Sequence, residues 1–123
     1  MLACVRGLAR YASMSEAAMV VLTTCSNDED AAALARTLVE RRLAACVNAI
    51  SKVASTYRWK GEVQQDRETL LIIKTTAPRL AALEQAIREQ SKYDLPEVIA
   101  LPVVGGGAEY LAWVGESVAK LED

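Results

Sequence analysis

Residues 42–62 read Arg-Leu-Ala-Ala-Cys-Val-Asn-Ala-Ile-Ser-Lys-Val-Ala-Ser-Thr-Tyr-Arg-Trp-Lys-Gly-Glu. The second half alternates strictly. Tyr57 and Trp59 project from one side of a strand, Arg58 and Lys60 from the other. Gly61 supplies a turn, and a second apolar stretch, residues 63–76, returns at once. Together they predict an unusually long β-hairpin, bent or bulged near Ser51 and Lys52, with Trp59 at its tip. A large aromatic at a hairpin tip needs a surface to pack on, and the natural surface is a second copy of the chain.

The hairpin is flanked by regular patterns. Residues 19–24 are a short Val/Thr-rich run, a buried strand. Ser26-Asn27-Asp28-Glu29 predicts a capping box, with Ser26 as the cap and Glu29 reaching back. The helix it opens has Ala31, Leu34, Ala35, Leu38 and Val39 on one face, and Arg41 and Arg42 at its cation-favouring end. Leu70-Leu71-Ile72-Ile73 is apolar on both faces, which predicts a central strand covered on each side. Thr76-Ala77-Pro78 opens a second helix. Leu80, Leu83 and Ile87 face inward there, and Glu84 pairs with Arg88 outside. A last strand spans 98–104, and Gly105-Gly106-Gly107 ends it. A final helix aligns Leu111, Val114, Val118 and Leu121, with Tyr110 and Trp113 alongside. The order β-α-β-β-α-β plus a C-terminal helix predicts an α+β, ferredoxin-like sandwich with an extended hairpin between its second and third strands.

Composition narrows the functional classes. A chain of 123 residues makes one domain, and 52% hydrophobic residues is rich for that size, which suggests burial between subunits. A net charge of −2 lacks the basic footprint of nonspecific nucleic-acid binding. No apolar run is long enough for a membrane helix. Three cysteines, Cys4, Cys25 and Cys46, suit a reducing compartment better than a disulfide framework. The absence of histidine excludes a Ser-His-Asp triad, a Cys-His pair and a His-based zinc site. Residues 1–18 form a leader with Arg6 and Arg10 and no acid before Glu16. Two readings stand: a disordered leader ahead of a start at Met14, or an organelle transit peptide. The domain proper is expected at 19–123.

An ordered set of short motifs then carries a family resemblance. The pieces are Val21-Leu22-Thr23-Thr24, Arg42-Leu43-Ala44-Ala45-Cys46-Val47-Asn48, Tyr57-Arg58-Trp59-Lys60-Gly61-Glu62, Ile73-Lys74-Thr75-Thr76, Tyr93 with Pro96-Glu97, and Tyr110-Leu111-Ala112-Trp113. In this order the chain resembles the CutA divalent-ion tolerance proteins. The resemblance implies a ferredoxin-like homotrimer whose hairpin arms pair with neighbouring subunits. It also implies a cytoplasmic location (an organelle, if the leader is a transit peptide) and an association with copper or another divalent cation. Some relatives bind copper through a cysteine on the first strand and two histidines ahead of the Tyr-x-x-Pro-Glu segment. Here those positions hold Thr23, Gln90 and Ser91.

Candidate sites follow. Tyr57, Trp59, Lys74, Tyr93 and Glu97 lie on the matched segments. They either line a ligand pocket between subunits, with Lys74 and Glu97 as a charged pair and the aromatics as walls, or stabilise the subunit interface. Cys25 sits where a strand meets a capped helix. A helix N-terminus lowers a thiol pKa, which makes Cys25 the candidate metal ligand against an ordinary half-exposed cysteine. Cys46, amid Ala and Val, reads as core. Asp94 with Glu97 is a carboxylate pair, in a solvated turn or beside a hard cation. The glycine triplet reads as a loop, since no Lys-Ser/Thr follows it. No catalytic residue is expected. Two functional classes remain: a non-enzymatic trimer that binds a metal or a partner protein, and a trimeric small-molecule sensor or enzyme with an inter-subunit pocket.

Overall fold

The computed structural model describes residues 18–119. Residues 1–17 of the expected leader, Cys4 among them, and Leu121 of the final helix lie outside the described residues. The elements are β1 (Ala18–Cys25), α1 (Asp28–Glu40), β2 (Cys46–Trp59), β3 (Glu62–Thr76), a 3-10 turn (Ala77–Arg79), α2 (Leu80–Gln90), β4 (Ile99–Pro102) and α3 (Ala108–Val118). The strands form one antiparallel sheet in the order β2-β3-β1-β4. This is the ferredoxin-like arrangement with an added helix, as the sequence predicts.

Alternation along β1 and β3 builds the core. Val21, Leu71 and Ile73 are buried against Leu34 and Leu38 of α1 and Leu83 and Ile87 of α2. The opposite row, Val20, Leu22, Leu70 and Ile72, is only half-buried. The run 70–73 is thus fully covered on one face and only partly on the other, because α1 and α2 pack on the same side. α3 places Val114 and Val118 against Ala45 in a separate small cluster. Arg42 Nη1 and Arg79 Nε donate to the carbonyls of Ser117 and Val118, at 3.3 and 2.6 Å, and so hold the end of α3.

The ends of α1 differ from expectation in detail. The cap is Asn27, not Ser26. Its extended backbone lets Oδ1 accept from the Asp30 amide at 2.8 Å, while its Nδ2 donates back to Asp30 at 3.1 Å. The reciprocal pair is therefore Asn27 with Asp30, one residue later than Ser26 with Glu29. At the other end Arg41 is the C-cap and Arg42 is left-handed, with φ of 57°. Leu43 N–H donates to Leu38 O and Arg42 N–H to Val39 O, a complete Schellman closure with Leu43 and Leu38 both in the core. Both arginines lie beyond the last helical turn, and Val39 turns out to be exposed. The pair Glu84–Arg88 forms as predicted, at 3.0 Å.

The hairpin decides the shape. Trp59 pairs with Glu62 across Lys60 and Gly61, whose φ values of 50° and 82° give a two-residue turn of type I′. The register slips between Ile50 and Val53, and Lys52 there has φ of 57°. This is the bulge expected near Ser51 and Lys52. β1 ends with Cys25 opposite Thr69, so residues 53–68 have no third strand beside them. They form a free two-stranded arm whose returning strand, residues 62–68, is about 23 Å long. The last strand is shorter than the predicted 98–104: β4 stops at Pro102, and Val104 is fully exposed. Among the described residues no helix is long and apolar enough to cross a membrane.

Candidate functional site

The arm does not stand alone at its base. The loop after α2 reaches it and is pinned twice. Lys92 Nζ donates to Asp30 Oδ1 at 2.9 Å, tying the loop to the first turn of α1. Tyr93 Oη donates to Glu68 Oε2 at 2.7 Å, tying it to β3. Between the arm and this loop lies a cleft of about 640 Å³, within the range of small-molecule sites.

Four of the five sequence-predicted pocket residues meet there: Tyr57 and Trp59 from β2, Tyr93 and Glu97 from the loop. Asp94 joins them, so both carboxylates of the Asp94–Glu97 pair line the cleft. Lys74 does not. It occupies the same face of β3 as Glu68 but six residues away, about 20 Å along the strand. Its Nζ donates to Asn48 Oδ1. The expected Lys74–Glu97 pair is absent among the described residues, whose ion pairs are Arg36–Glu40, Glu84–Arg88 and Asp30–Lys92. The sequence reading missed Glu68, Asp66 and Arg58. Only the register across the bulge puts Glu68 opposite Val53 and Asp66 opposite Ser55.

The polar chemistry of the cleft is one-sided. Tyr57 Oη donates to Asp66 and Tyr93 Oη to Glu68. The two carboxylates sit two apart on β3 and so share its face. Burial, then the bond to Glu68, pushes the Tyr93 phenol well up, and the bond to Asp66 pushes the Tyr57 phenol up. Both phenols keep their protons at neutral pH and present acceptor lone pairs. Of the two cations of the lining, Lys92 is paired with Asp30, while Arg58 has no carboxylate partner among the described residues and makes a 3.4 Å contact from Nη1 to Gly61 O.

Cys25 lies beside the cleft, on a small hollow of about 20 Å³ next to Asp30, Lys92 and Tyr93. Its thiol is raised, by burial first and then by the Asp30 and Glu68 carboxylates. The expected lowering by the helix N-terminus does not occur. Cys25 stands two residues ahead of the true cap, Asn27, among acids that oppose a thiolate. Cys46 is also free and half-buried, with Sγ 3.9 Å from Asn48 Oδ1. Among the described residues no three Cys, Asp or Glu side chains converge to hold a metal ion. At the positions implied for copper, Thr23 is buried with an Oγ1 that has no hydrogen-bond partner, and Gln90 and Ser91 offer only an amide and a hydroxyl. Neutral oxygens are poor ligands for copper, which favours thiolate and imidazole, so this donor set does not fit it.

Comparison with known proteins places this geometry in context. The family model described as CutA1 divalent ion tolerance protein matches residues 19–117. The Xenopus laevis protein CutA homolog is 47% identical over 110 residues, 89% of this chain and 72% of that protein. The divalent-cation tolerance protein CutA of Thermus thermophilus is 45% identical over 98 residues, 80% of this chain and 95% of that one. Its solved structure superposes with a TM-score of 0.81 at 43% identity, covering 83% of this chain and 99% of that chain. The crystal structure of CutA1 from Oryza sativa gives 0.82 at 43% identity, covering 85% and 96%. With the family model matched over residues 19–117 and relatives 45–47% identical across most of its length, the chain belongs to the CutA1 divalent ion tolerance protein family.

Proposed function

We propose that this chain is a non-enzymatic, homotrimeric divalent-cation tolerance protein that acts by binding, with the cleft at the base of the arm as its ligand site. The observation that carries the reading is the arm. Residues 53–68 pair only with each other, and Tyr57, Trp59 and Val63 on them are exposed. A lone two-stranded ribbon is marginal in water, and its open edges invite pairing. A neighbouring copy supplies the missing cover. β4 adds a second open edge with exposed Ile99 and Leu101. A cytoplasmic location, or an organelle if residues 1–18 direct the chain there, belongs to the same proposal.

Binding fits the site better than catalysis does. The chain has no histidine, the thiol beside the cleft is held protonated, and the two phenols are committed donors. Copper at Thr23, Gln90 and Ser91 is not part of the proposal. The second reading, a trimeric small-molecule sensor, is favoured by the size of the cleft and its aromatic walls.

Sedimentation of the full chain and of Trp59→Ala, each with and without added Cu(II) and Zn(II), tests the assembly. A wild-type trimer that Trp59→Ala weakens supports the proposal. A monomeric wild type rejects it.

A further inference from the structure

We infer that the cleft between the arm and the 91–98 loop is a site for an organic ammonium ion, a primary amine carried on an apolar or aromatic body. The inference rests on the cleft being a binding site and adds the class of its ligand.

The argument is one of complementarity. A hydrated metal ion occupies far less than a cleft of about 640 Å³ and calls for converging charged ligands. Among the described residues no three acids or thiols come together for one. What the cleft does offer is aromatic surface from Trp59 and Tyr93, apolar surface from Leu95, and the carboxylates of Asp94 and Glu97. Among the described residues neither of these carboxylates has a hydrogen-bond or ion-pair partner. The phenol oxygens of Tyr57 and Tyr93 have spent their protons on Asp66 and Glu68. What they still present to a ligand is acceptor capacity. The lining cations Lys92 and Arg58 donate to Asp30 and Gly61. The unspent groups are thus the acceptors, the charge of Arg58 and the ring of Tyr93, since Lys60 Nζ already stands 5.9 Å over the ring of Trp59.

That combination selects the sign and shape of the occupant. An anion would meet the three carboxylates of Asp94, Glu97 and Glu68 with Arg58 alone unpaired among the lining cations to offset them. An ammonium group finds carboxylates for its N–H donors and an aromatic face for its charge, while its apolar body covers Leu95 and the ring of Trp59. A bare alkane would leave the carboxylates desolvated without a partner.

Calorimetric titration of the full chain with phenethylammonium, tetraethylammonium, phenylacetate and Zn(II) tests this. Phenethylammonium is expected to bind. Phenylacetate, of the same shape and opposite charge, is expected to show no heat of binding. Tetraethylammonium, a cation without N–H donors, is expected to bind at least about tenfold more weakly. Glu97→Gln, and independently Asp94→Asn on an exposed turn, are each expected to weaken phenethylammonium by about tenfold. Glu109→Gln, an acid outside the cleft, is the control and is expected to leave phenethylammonium binding unchanged. Phenylacetate binding as tightly as the amine, or unchanged amine binding in both charge variants, overturns the inference. Zinc binding without amine binding overturns it too, and leaves the metal-tolerance reading standing. Amine binding to a chain that sediments as a monomer upholds it while the trimer proposal fails.

Discussion

Tyr93 donates its phenolic proton to Glu68 Oε2 at 2.7 Å, across 25 residues of sequence, and this bond fastens the loop after α2 to the root of the free arm. Removing the hydroxyl in Tyr93→Phe should cost about 1–2 kcal/mol of stability, the low end for a bond to a charged acceptor because water can partly replace it. The pH dependence has a fixed sign. The phenol is raised in the folded chain, so its contribution is complete below the unfolded value near pH 10. It is lost as pH rises from there through the folded value. Thermal melts from neutral to alkaline pH should show a decline in the wild type that is shallower in Tyr93→Phe.

Acid works through other groups. The Asp28 carboxyl is lowered chiefly by the hydroxyl of Thr69, which donates to it at 2.6 Å, and the Asp30 carboxyl chiefly by Lys92. Folded values below the unfolded ones mean that these contacts contribute fully above the unfolded carboxylate pKa, about 3.9. They fade as pH falls through the lowered values. Thr69→Val should flatten the acid limb of a melting-temperature profile and leave the neutral region lower. An acid limb identical to the wild type would remove Asp28 from the account.

Thr23 is a buried liability. Its Oγ1 lacks any partner among the described residues, and the residue sits between Val21 and Cys25 on the core face of β1. Thr23→Val keeps the shape and deletes the orphaned hydroxyl, so urea unfolding should show a gain of about 1 kcal/mol. A loss of stability would mean that the hydroxyl has a partner in the assembled protein.

Gly61 tests the tip of the arm. Its φ is 82° and nothing lies within 4 Å of where a Cβ would stand, so Gly61→Ala meets strain and no clash. The expected cost is about 1–2 kcal/mol, the left-handed penalty for a residue with a side chain. A loss well above that in a melt would point to a surface packed against the tip.

Periodicity made much of this legible. The two-residue alternation through Tyr57 and Trp59, the glycine at the turn and the 3.6-residue stripes of the helices are local signals, and the elements formed where their patterns lay, apart from the end of β4. Asn27 took the cap from Ser26 because an Asp stands three residues after it and can answer its amide. Sequence spacing permits both boxes. The site was half legible. Tyr57, Trp59, Tyr93 and Glu97 sit on motif segments and do converge. Lys74 was misplaced because only the pairing Cys46↔Lys74 shows how far along β3 it lies from the arm. Glu68 had no signal at all, since its role depends on a loop that folds back from residue 93. The raised thiol of Cys25 was not legible, because proximity to a helix start says nothing of the acids around it.

The central claim is that the arm makes this chain a trimer. Sedimentation velocity of the purified full chain over a wide concentration range tests it most directly. One species of three 13.3 kDa chains is expected, destabilised toward monomer by Trp59→Ala. A single monomeric species at every concentration would contradict it.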